Sequence, residues 1–440
     1  MSEIVLSFKN TDGVIKPMHA VNNGPTKPNP VEQTRGNFDD FKAARIPYVR
    51  NHDASFCAAY GGEHTVDVHA IFPDFTKNPY DPASYDFALT DDYLSVIVAA
   101  GSKMFYRLGS KIEHWRKKYG TIVPADFHKW AVICEHIIRH YTDGWADGFH
   151  FDIEYWEIWN EPDGKNSNGD QPNWSGTPEA FFELYTEAAT HLKSRFPHLK
   201  IGGPAISWAK QQWLDDFLAY ITRDGRRVPM DFFACHVYTD NPYELAEHAE
   251  YVREKLDAAG YTDTECHLNE YNFLYNFTTR YVESIEGIIS VRGAAFTAAA
   301  MSVGQASPLD MLMYYDARID TVFNGMFDFY TLRPLKGYYP FLYFSKLYAL
   351  EKQAKAHSDA PDVYVTAASD GDNCAAMLTY YPAEGEENRQ VTVSTDTDGD
   401  YRIRRTDGQV TNEEHIVSVV NGTLTLDLNP NSIVLLERII

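Results

Sequence analysis

The chain has 440 residues, of which 62 are acidic and 39 basic, so its formal net charge at pH 7 is −23. Such an acidic surface repels phosphate groups and anionic lipid heads, which argues against nucleic acids and membranes as partners. No apolar run approaches the ~20 residues that a membrane-spanning helix needs. The hydrophobic share of 44% is ordinary for a globular protein, so the chain can bury a large core.

The cysteines and the first residues give an expectation about the cellular compartment. The five cysteines are Cys57, Cys134, Cys235, Cys266 and Cys374. Their odd number and irregular spacing predict reduced thiols and no disulfide framework. The opening Met-Ser-Glu-Ile-Val-Leu-Ser-Phe lacks the basic and apolar segments of a secretory signal, although a sequence whose leader had been removed would look the same. We therefore expect a cytoplasmic protein.

Short apolar segments alternate with helix-like stretches through the first 350 residues. The predicted strands end near Val21, Asn51, Leu108, Asn160, Gly203, Tyr238, Asn269 and Asp316, and intervening helices include Ala131–Tyr141, Pro178–Arg195, Gln212–Arg223 and Tyr243–Ala259. Thr177 is a typical N-cap before Pro178, and Gly260 is a typical helix stop. Eight such units predict the α/β class and a (β/α)₈ barrel over residues 10–350. An open doubly wound sheet is the alternative, but no strand is followed by a GxGxxG turn.

Beyond about Leu350 the pattern changes to short β-rich segments separated by turns rich in Asp, Gly and Asn. The predicted strands are Val363–Ala368, Ala375–Tyr381, Arg389–Thr395, Tyr401–Arg405, Ile416–Val420, Thr423–Leu428 and Ile433–Arg438. This spacing predicts an antiparallel β-sandwich over residues 351–440 as an accessory domain. An N-terminal strand at residues 3–9 is a candidate to join it.

The strongest chemical signal is the segment Tyr155–Asp163, which reads Tyr-Trp-Glu-Ile-Trp-Asn-Glu-Pro-Asp. An apolar strand delivers Asn160 and Glu161 at its carboxyl end, and Pro162 cannot continue a central ladder. In a barrel, this end of the strands carries the catalytic groups. Glu161 is therefore a candidate general acid and Asn160 a candidate partner for a sugar hydroxyl. Glu157 lies earlier in the strand and is interpreted as structural.

A second predicted strand carries the same pair, because the segment Glu265–Asn272 contains Asn269 followed by Glu270. By our count it is the seventh strand and Glu161 ends the fourth, so the two carboxylates can face each other across the barrel mouth. Carboxyl groups about 5–5.5 Å apart would form the nucleophile and acid/base of a retaining glycosidase. Two structural carboxylates are the alternative, but matching pairs at two strand ends favour catalysis.

Trp-Asn-Glu-Pro on the fourth strand with Asn-Glu on the seventh resembles the clan of retaining (β/α)₈ glycosidases. Within that clan, the chain resembles glycoside hydrolase family 39, the β-xylosidase and α-L-iduronidase family. Further matching stretches are Ala20–Pro25, Tyr48–His52, Trp174, Gly176–Thr177, Gly202–Ala205 and Asp231–Tyr238. The resemblance extends from about residue 18 to residue 345. It implies Glu161 as the acid/base and Glu270 as the nucleophile.

Two stretches differ from that family pattern. The sequence after His52 runs Asp-Ala-Ser-Phe-Cys-Ala-Ala-Tyr-Gly-Gly-Glu-His, which is unlike the family's xylosidases. The eighth predicted strand ends at Tyr315-Asp316, where the resemblance leads us to expect a tryptophan. We therefore expect reshaped sugar subsites.

Strand parity adds supporting residues around the two carboxylates, since positions i and i+2 share one strand face. Arg50 and His52 share one face, as do His236 and Tyr238. We expect Tyr238 to donate to Glu270, Arg50 to keep that carboxylate ionised, and both histidines to hold ring hydroxyls. Packing in the core or at the rim is the alternative for the histidines and Tyr238. The remaining candidate substrate-binding residues are Asn23, Trp208 and Tyr315.

These residues predict an exo-acting retaining glycosidase that removes a terminal sugar from short oligosaccharides or small glycosides. A β-xyloside or α-L-arabinopyranoside is the first candidate substrate, followed by a hexoside or a uronide. A catalytically silent sugar-binding protein and a transglycosidase are the alternatives. No cofactor is needed, and a homo-oligomer stays open. We expect no metal site, because His136 and His140 lack the His-Glu-x-x-His order and are interpreted as a helix pair.

Overall fold

A computed structural model of the protein describes residues 2–27, 36–53, 64–165 and 169–439. The described part of the chain forms two sheets, numbered here in chain order from β1 to β17. Strands β2 to β9 form one sheet, and β1 joins β10 to β17 in the other. The fold is therefore a barrel with an attached accessory sheet.

The first sheet is a closed barrel of eight parallel strands, as the sequence predicts. Its strands are β2 (Ala20–Asn22), β3 (Tyr48–Arg50), β4 (Lys103–Leu108), β5 (Tyr155–Ile158), β6 (Lys200–Gly202), β7 (Phe232–Thr239), β8 (Glu265–Phe273) and β9 (Met311–Tyr314). Closure between β6 and β7 comes from a parallel bridge that joins Ile206 to Cys235. Seven predicted strand ends lie within two residues of the observed ones. β8 is the exception, because it continues four residues beyond Asn269.

Ten α-helices lie in the described residues. They are α1 (Phe38–Ala43), α2 (Val68–Ile71), α3 (Ala88–Ala99), α4 (Phe127–Thr142), α5 (Pro178–Arg195), α6 (Gln212–Thr222), α7 (Tyr243–Ala258), α8 (Tyr281–Ile288), α9 (Val291–Ala306) and α10 (Tyr339–Tyr348). Helix α4 begins one turn before the predicted position because the side chain of Asp126 accepts from the backbone N–H of Lys129. The predicted cap at Thr177 is confirmed, since its side chain accepts from the N–H of Ala180.

The second sheet has the strand order β15-β14-β17-β12-β11-β10-β1-β13-β16. Its strands are β1 (Ser2–Val14), β10 (Lys352–Ser358), β11 (Val363–Ser369), β12 (Cys374–Tyr380), β13 (Arg389–Thr395), β14 (Gly399–Thr406), β15 (Glu413–Val419), β16 (Thr423–Leu428) and β17 (Ser432–Arg438). The expectation of a wholly antiparallel sheet is wrong at one ladder, because β1 pairs with β13 in parallel. β1 precedes the barrel in sequence, whereas the other strands of this sheet follow it, and β1 lies between β10 and β13. No hairpin turn joins it to β13, so the two strands need not be antiparallel.

This accessory sheet folds over on itself. Five steps of about 4.8 Å separate β1 from β14 in the strand order, or roughly 24 Å in a flat sheet. The rings of Phe8 and Tyr401 on these two strands nevertheless stack with centroids 6.5 Å apart. The strands therefore enclose a common apolar core, which also contains Leu6, Val393 and Ile403.

Helices α9 and α10 attach the sheet to the barrel. Most of α9 is buried, and its Phe296 packs against Tyr381 next to β12. Among the described residues, no single helix has the length and apolar composition of a membrane span; α8 and α9 reach them only together, with a 78° bend between them.

Four of the cysteines, Cys134, Cys235, Cys266 and Cys374, are buried free thiols. That state agrees with the prediction of reduced cysteines. Cys57 lies outside the described residues.

Candidate active site

Glu161 follows β5 on a backbone that few side-chain-bearing residues adopt. Trp159 has φ 76° and Glu161 has φ 46°, both in the left-handed region. Such conformations cost of order 1–3 kcal/mol and persist only where the surroundings fix them. Here the Trp159 N–H donates to the carbonyl of Leu108 at 2.7 Å, and the Glu161 N–H donates to that of Ala205 at 2.8 Å. The neighbouring strand ends therefore set the direction of the Glu161 side chain.

The Glu161 carboxylate is held at both oxygens and still reaches solvent. Its Oε2 accepts from Asn173 Nδ2 at 2.9 Å, and its Oε1 lies 2.7 Å from Nδ1 of His236. Asn173 is itself fixed because its carbonyl accepts from the indole N–H of Trp159 at 2.7 Å. The Glu161 side chain remains 21% exposed, so a substrate oxygen can approach it.

Glu270 lies inside β8 and not at its end. The ladder with β7 pairs Leu268 with Cys235 and then Glu270 with His236, so Asn269 is an extra residue in β8. A bulge of this kind turns two successive side chains towards the same face. Both Asn269 and Glu270 consequently point to the inside of the barrel, where they bond Glu157 and Arg50, whereas simple alternation would have turned one of them away.

Cationic groups surround the Glu270 carboxylate, whose side chain is only 6% exposed. Arg50 Nη1 donates to its Oε1 at 2.7 Å, and the hydroxyl of Tyr238 donates to its Oε2 at 2.8 Å. Nε2 of His52 and Nδ1 of His236 each lie 3.4 Å from the carboxylate. Burial alone would raise the pKa of Glu270, but His236, His52 and Arg50 outweigh it and hold that pKa below its usual value.

The two carboxylates lie close enough to act on one bond. One oxygen of Glu161, one oxygen of Glu270 and a ring nitrogen of His236 all lie within 4.8 Å of one another. Oxygens this close agree better with the roughly 5–5.5 Å between the carboxyl groups of retaining glycosidases than with the roughly 6.5–9.5 Å that leaves room for a water in inverting ones. The imidazole of His236 bridges the pair and is itself completely buried. Because it is buried and is not among the described residues that line the cleft, it positions the carboxylates, and the predicted contact with a ring hydroxyl is wrong.

Arg50 organises the base of the site. Besides Glu270, its guanidinium donates to Glu157 at 2.7 Å and to the side-chain oxygen of Asn160 at 2.7 Å. Glu157 also accepts from Asn269 and is completely buried. The interpretation of Glu157 as structural thus agrees with its contacts, since it orients Arg50 and does not face the cleft.

His52 and Tyr315 form one wall of the mouth, and Asp53 holds both of them. The Asp53 Oδ2 lies 3.0 Å from Nδ1 of His52 and accepts from the Tyr315 hydroxyl at 3.1 Å. Burial alone would raise the pKa of Asp53, but His52, Arg318 and Lys111 hold that pKa well below its usual value. The ionised Asp53 can therefore direct the other face of His52 towards Glu270.

Two predicted substrate-binding residues lie elsewhere. Asn23 is buried at the end of β2, where it donates to Asp316 at 2.8 Å and accepts from the backbone N–H groups of His52 and Asp53. It supports the wall of the mouth from behind. Trp208 is 40% exposed and packs edge-on with His248, the two ring centroids being 4.2 Å apart. It is not among the described residues that line the cleft.

The carboxylates open into a cleft of about 830 Å³, a size suited to small ligands. His52, Asn160, Glu161, Tyr238, Glu270 and Tyr315 line its base. Its outer walls carry aromatic residues that sequence reasoning did not identify, among them Trp115, Tyr119 and Phe277. Asn173 and Asp53 were also missed. Each is adjacent in sequence to a residue that had been identified, Trp174 and His52, and this adjacency was the available signal.

Within the described part of the chain, two groups of side chains have a geometry that could hold a metal ion. One is the pair of carboxylates with His236, whose mutual hydrogen bonds already explain the arrangement. The other is His64, Asp67 and His69, but Asp67 is ion-paired to Arg107 at 2.6 Å and to His64 at 2.7 Å.

His136 and His140 do not share a site. The ring of His136 bonds to the carbonyl of Val132, and that of His140 bonds to Asp91 and to the carbonyl of Trp145. Their hydrogen bonds agree with the interpretation of a helix pair.

A (β/α)₈ barrel in which glutamates on the fourth and seventh strands face each other at the carboxyl end is the architecture of the retaining glycosidases that this chain resembles. The family model described as "Glycosyl hydrolases family 39" matches residues 55–266, slightly less than half of the chain. A β-xylosidase of Geobacillus stearothermophilus is 26% identical over 222 residues, which cover 44% of this chain and 42% of that protein. The chain is thus similar to glycoside hydrolase family 39, and its match spans less than half of this curated relative.

Solved structures extend the similarity of fold to the whole chain. A glucosidase from Croceicoccus marinus superposes with a TM-score of 0.79 at 22% identity, over 99% of this chain and 98% of that one. A monomeric β-xylosidase from Caulobacter crescentus superposes with a TM-score of 0.71 at 17% identity, over 99% of both chains. The accessory sheet is thus covered by these similarities together with the barrel.

Proposed function

We propose that the protein is a retaining glycosidase in which Glu161 is the acid/base and Glu270 the nucleophile. The observation that carries this proposal is the pair of carboxylates within 4.8 Å of each other in opposite settings. Glu270 is buried among cations that keep it ionised, and Glu161 is partly exposed beside the cleft. A nucleophile must be unprotonated and an acid must reach the leaving oxygen, so the two settings fit two roles.

In the first step, a Glu270 oxygen attacks the anomeric carbon while Glu161 gives its proton to the glycosidic oxygen. The bond to the leaving group breaks, the aglycone departs as an alcohol, and the sugar remains as an ester on Glu270. Arg50 and the Tyr238 hydroxyl hold the nucleophile in place through their bonds to its two oxygens.

In the second step, Glu161 takes a proton from water as the water oxygen attacks the same carbon from the side that the aglycone left. The ester bond breaks and Glu270 returns to its ionised state. Two inversions leave the sugar with its original anomeric configuration. His236 contacts both carboxylates and fixes their relative position while the negative charge moves from Glu270 to Glu161 and back.

For the substrate, we propose a terminal pentose, with a β-xyloside or an α-L-arabinopyranoside as the first candidate and a hexoside as the second. The name of the Geobacillus relative supports a xyloside, and the name of the Croceicoccus structure supports a hexoside. Tyr315 and His52, whose ring centroids lie 5.5 Å apart, form the wall against which the sugar would rest.

The experiment is hydrolysis of a panel of 4-nitrophenyl glycosides, followed by NMR of the first-formed sugar. We expect at least one pentoside or hexoside to be cleaved with retention of configuration. Inverted product would overturn the two-step mechanism, and binding of sugars with no cleavage of any glycoside would favour a catalytically silent protein. Transfer of the sugar to an added sugar acceptor in preference to water would favour a transglycosidase.

A further inference from the structure

Beside the catalytic cleft lies a second cavity of about 280 Å³ with apolar walls. Its floor is made of buried side chains, among them Phe72, Trp130 and Trp159. Its rim is formed by Tyr119 and Ile122, which are 59% and 50% exposed. Contact between water and such an apolar surface is unfavourable, so an apolar group that fills the cavity would bind with a gain in stability.

The cavity borders the catalytic cleft. Tyr119 lines both of them, and Trp159, which forms part of the floor, is two residues before Glu161. The segment of residues 109–126 between β4 and α4 carries this shared wall, so we call it the 109–126 loop. In the cleft, the same loop exposes Trp115, which is 78% exposed.

The 109–126 loop is rigidly attached to the side of the cleft that carries Glu161. The carboxylate of Glu113 accepts from the backbone N–H groups of Tyr119, Gly120 and Thr121 at 3.0 to 3.2 Å. The carbonyl of Thr121 accepts from the Ser175 N–H at 2.9 Å, two residues beyond the asparagine that bonds Glu161. The apolar walls are thus fixed before any ligand binds, which lowers the entropic cost of binding.

This side of the cleft receives the leaving group, because the oxygen that Glu161 protonates belongs to the aglycone. Few hydrogen-bonding groups line the cavity. The Ser110 hydroxyl already donates to the carbonyl of Gly120 at 2.6 Å, and the accessible polar side chains of the lining are those of His69 and Tyr119. A second sugar placed there would lose more hydrogen bonds from its hydroxyls to water than these two side chains can replace.

We propose that the apolar cavity is an aglycone site and that the natural substrates are glycosides of an apolar, alkyl or aryl, alcohol. This inference rests on the proposed function, since it describes what lies on the far side of the bond to be cleaved. It replaces short oligosaccharides as the expected substrate class. Trp115 and Tyr119 would contact the aglycone where it leaves the cleft, and Ile122 would contact it at the rim of the cavity.

The test is the dependence of kcat/KM on aglycone length, with methyl, butyl and hexyl β-D-xylosides and β-D-glucosides and with xylobiose and cellobiose for comparison. A fully buried CH₂ group corresponds to about fourfold in kcat/KM, so half-buried ones give about twofold each. We expect roughly a 30-fold rise from methyl to hexyl, and disaccharides close to the methyl value.

The variant Ile122→Asn places a polar group at the rim, and we expect it to reduce the hexyl-to-methyl ratio by about threefold or more. Ile289→Asn is the matched control, because Ile289 is 52% exposed and lines neither cavity, and it should leave the ratio unchanged. Thermal melting of both variants checks that each folds.

The outcomes separate this inference from the proposed function. A flat ratio in the wild type, with aryl glycosides still cleaved, overturns the apolar site alone. The same conclusion follows if disaccharides are cleaved faster than the hexyl glycosides. If no glycoside of any kind is cleaved, the glycosidase function fails and the aglycone site fails with it.

Discussion

Each end of the barrel brings a glutamate together with a histidine, a tyrosine and a cation. At the amino-terminal end, Glu265 accepts from the Tyr155 hydroxyl at 3.0 Å, lies 3.0 Å from Nε2 of His267 and is ion-paired to Lys200. At the carboxyl-terminal end, Tyr238, His236 and Arg50 surround Glu270 in the corresponding way. The two ends therefore contain similar chemistry in different settings.

The difference lies in how the carboxylates are arranged. At the amino-terminal end, Glu265 and Glu154 both pair with Lys200, and the rings of Tyr155 and His267 are stacked on Phe105 and Phe232. At the other end, an oxygen of Glu161 lies within 4.8 Å of one of Glu270, and both carboxylates line a cleft. A cluster whose charges are paired stabilises a fold, and two facing carboxylates in a cleft can carry out acid–base chemistry.

The largest expected effect comes from replacing the glutamate at each end. Glu270→Ala removes the nucleophile, so kcat/KM should fall by roughly 10⁵-fold on every glycoside, including those with activated leaving groups. Glu265→Ala removes the same side chain from the amino-terminal end and should leave kcat/KM within about twofold. Equal losses in the two variants, measured with 4-nitrophenyl and alkyl glycosides, would contradict the comparison.

Glu161→Ala should show a loss that depends on the leaving group. General acid catalysis contributes roughly 10²–10⁴-fold, so alkyl glycosides should lose about that much in kcat/KM. Dinitrophenyl glycosides need no proton and should give a burst of phenolate followed by slow turnover. Added azide should relieve the stall and form a glycosyl azide of retained configuration. If both substrate types lost activity equally and azide had no effect, Glu161 would not be the acid/base.

His52→Ala tests the wall of the open end. Its Nε2 lies 3.4 Å from Glu270, and its Nδ1 is held by Asp53, so it is fixed for a contact that strengthens in the transition state. We expect kcat/KM to fall by roughly 10–100-fold with an unchanged Tm. A lower Tm with normal kinetics would return His52 to a packing role.

The pH dependence of kcat/KM should show the effect of the cation cluster. Glu270 must be ionised to attack, and the charge of His236 is the first of the interactions that hold its pKa low. His236→Asn removes that charge, so the pKa of Glu270 should rise and the acidic limb of the profile should move to higher pH. We expect a loss of roughly tenfold in the plateau value. An unmoved acidic limb would show that His236 acts only by packing.

The smallest effect on catalysis and the clearest effect on stability are expected at the amino-terminal end of the barrel. Burial alone would raise the pKa of Glu265, but His267 and Lys200 lower it to about 2. A group with a depressed folded-state pKa stabilises the fold above its unfolded pKa of about 4.3, and that stability disappears as pH falls from there towards 2. Glu265→Gln should lower Tm by roughly 2–4 °C at neutral pH, less so in acid, with kcat/KM unchanged.

The barrel and the two carboxylates were predictable because strand-ending motifs are local. Asn160 and Glu161 follow an apolar run and precede a proline, and that information is contained in a few residues. The bulge at Asn269 was not predictable, since it depends on how β8 registers with both neighbours. Parity correctly paired Arg50 with His52. It could not show that His236 would be covered by its own contacts to both carboxylates.

The accessory residues escaped prediction for a related reason. Asn173 reaches Glu161 from a loop that is held by the hydrogen bond between the Trp159 indole and the Asn173 carbonyl. Neither the loop sequence nor the strand sequence alone predicts that contact. Trp208 was chosen for its residue type, but its loop turns the ring towards α7. Residue type and local spacing therefore predict the chemistry of the strand ends better than the assignment of loop side chains.

The parallel pairing of β1 with β13 has a consequence for how the chain is made. Ser2 pairs with Val391 and Ile4 with Val393, so β1 is synthesised long before the strand that completes the hydrogen bonding of its second edge. Contacts so distant in sequence form late, because the loop they close is very long. The barrel can assemble during synthesis, and the insertion of β1 between β10 and β13 in the accessory sheet is then a late step of folding. Until that moment its apolar face, including Leu6 and Phe8, is open to chaperones and to other nascent chains.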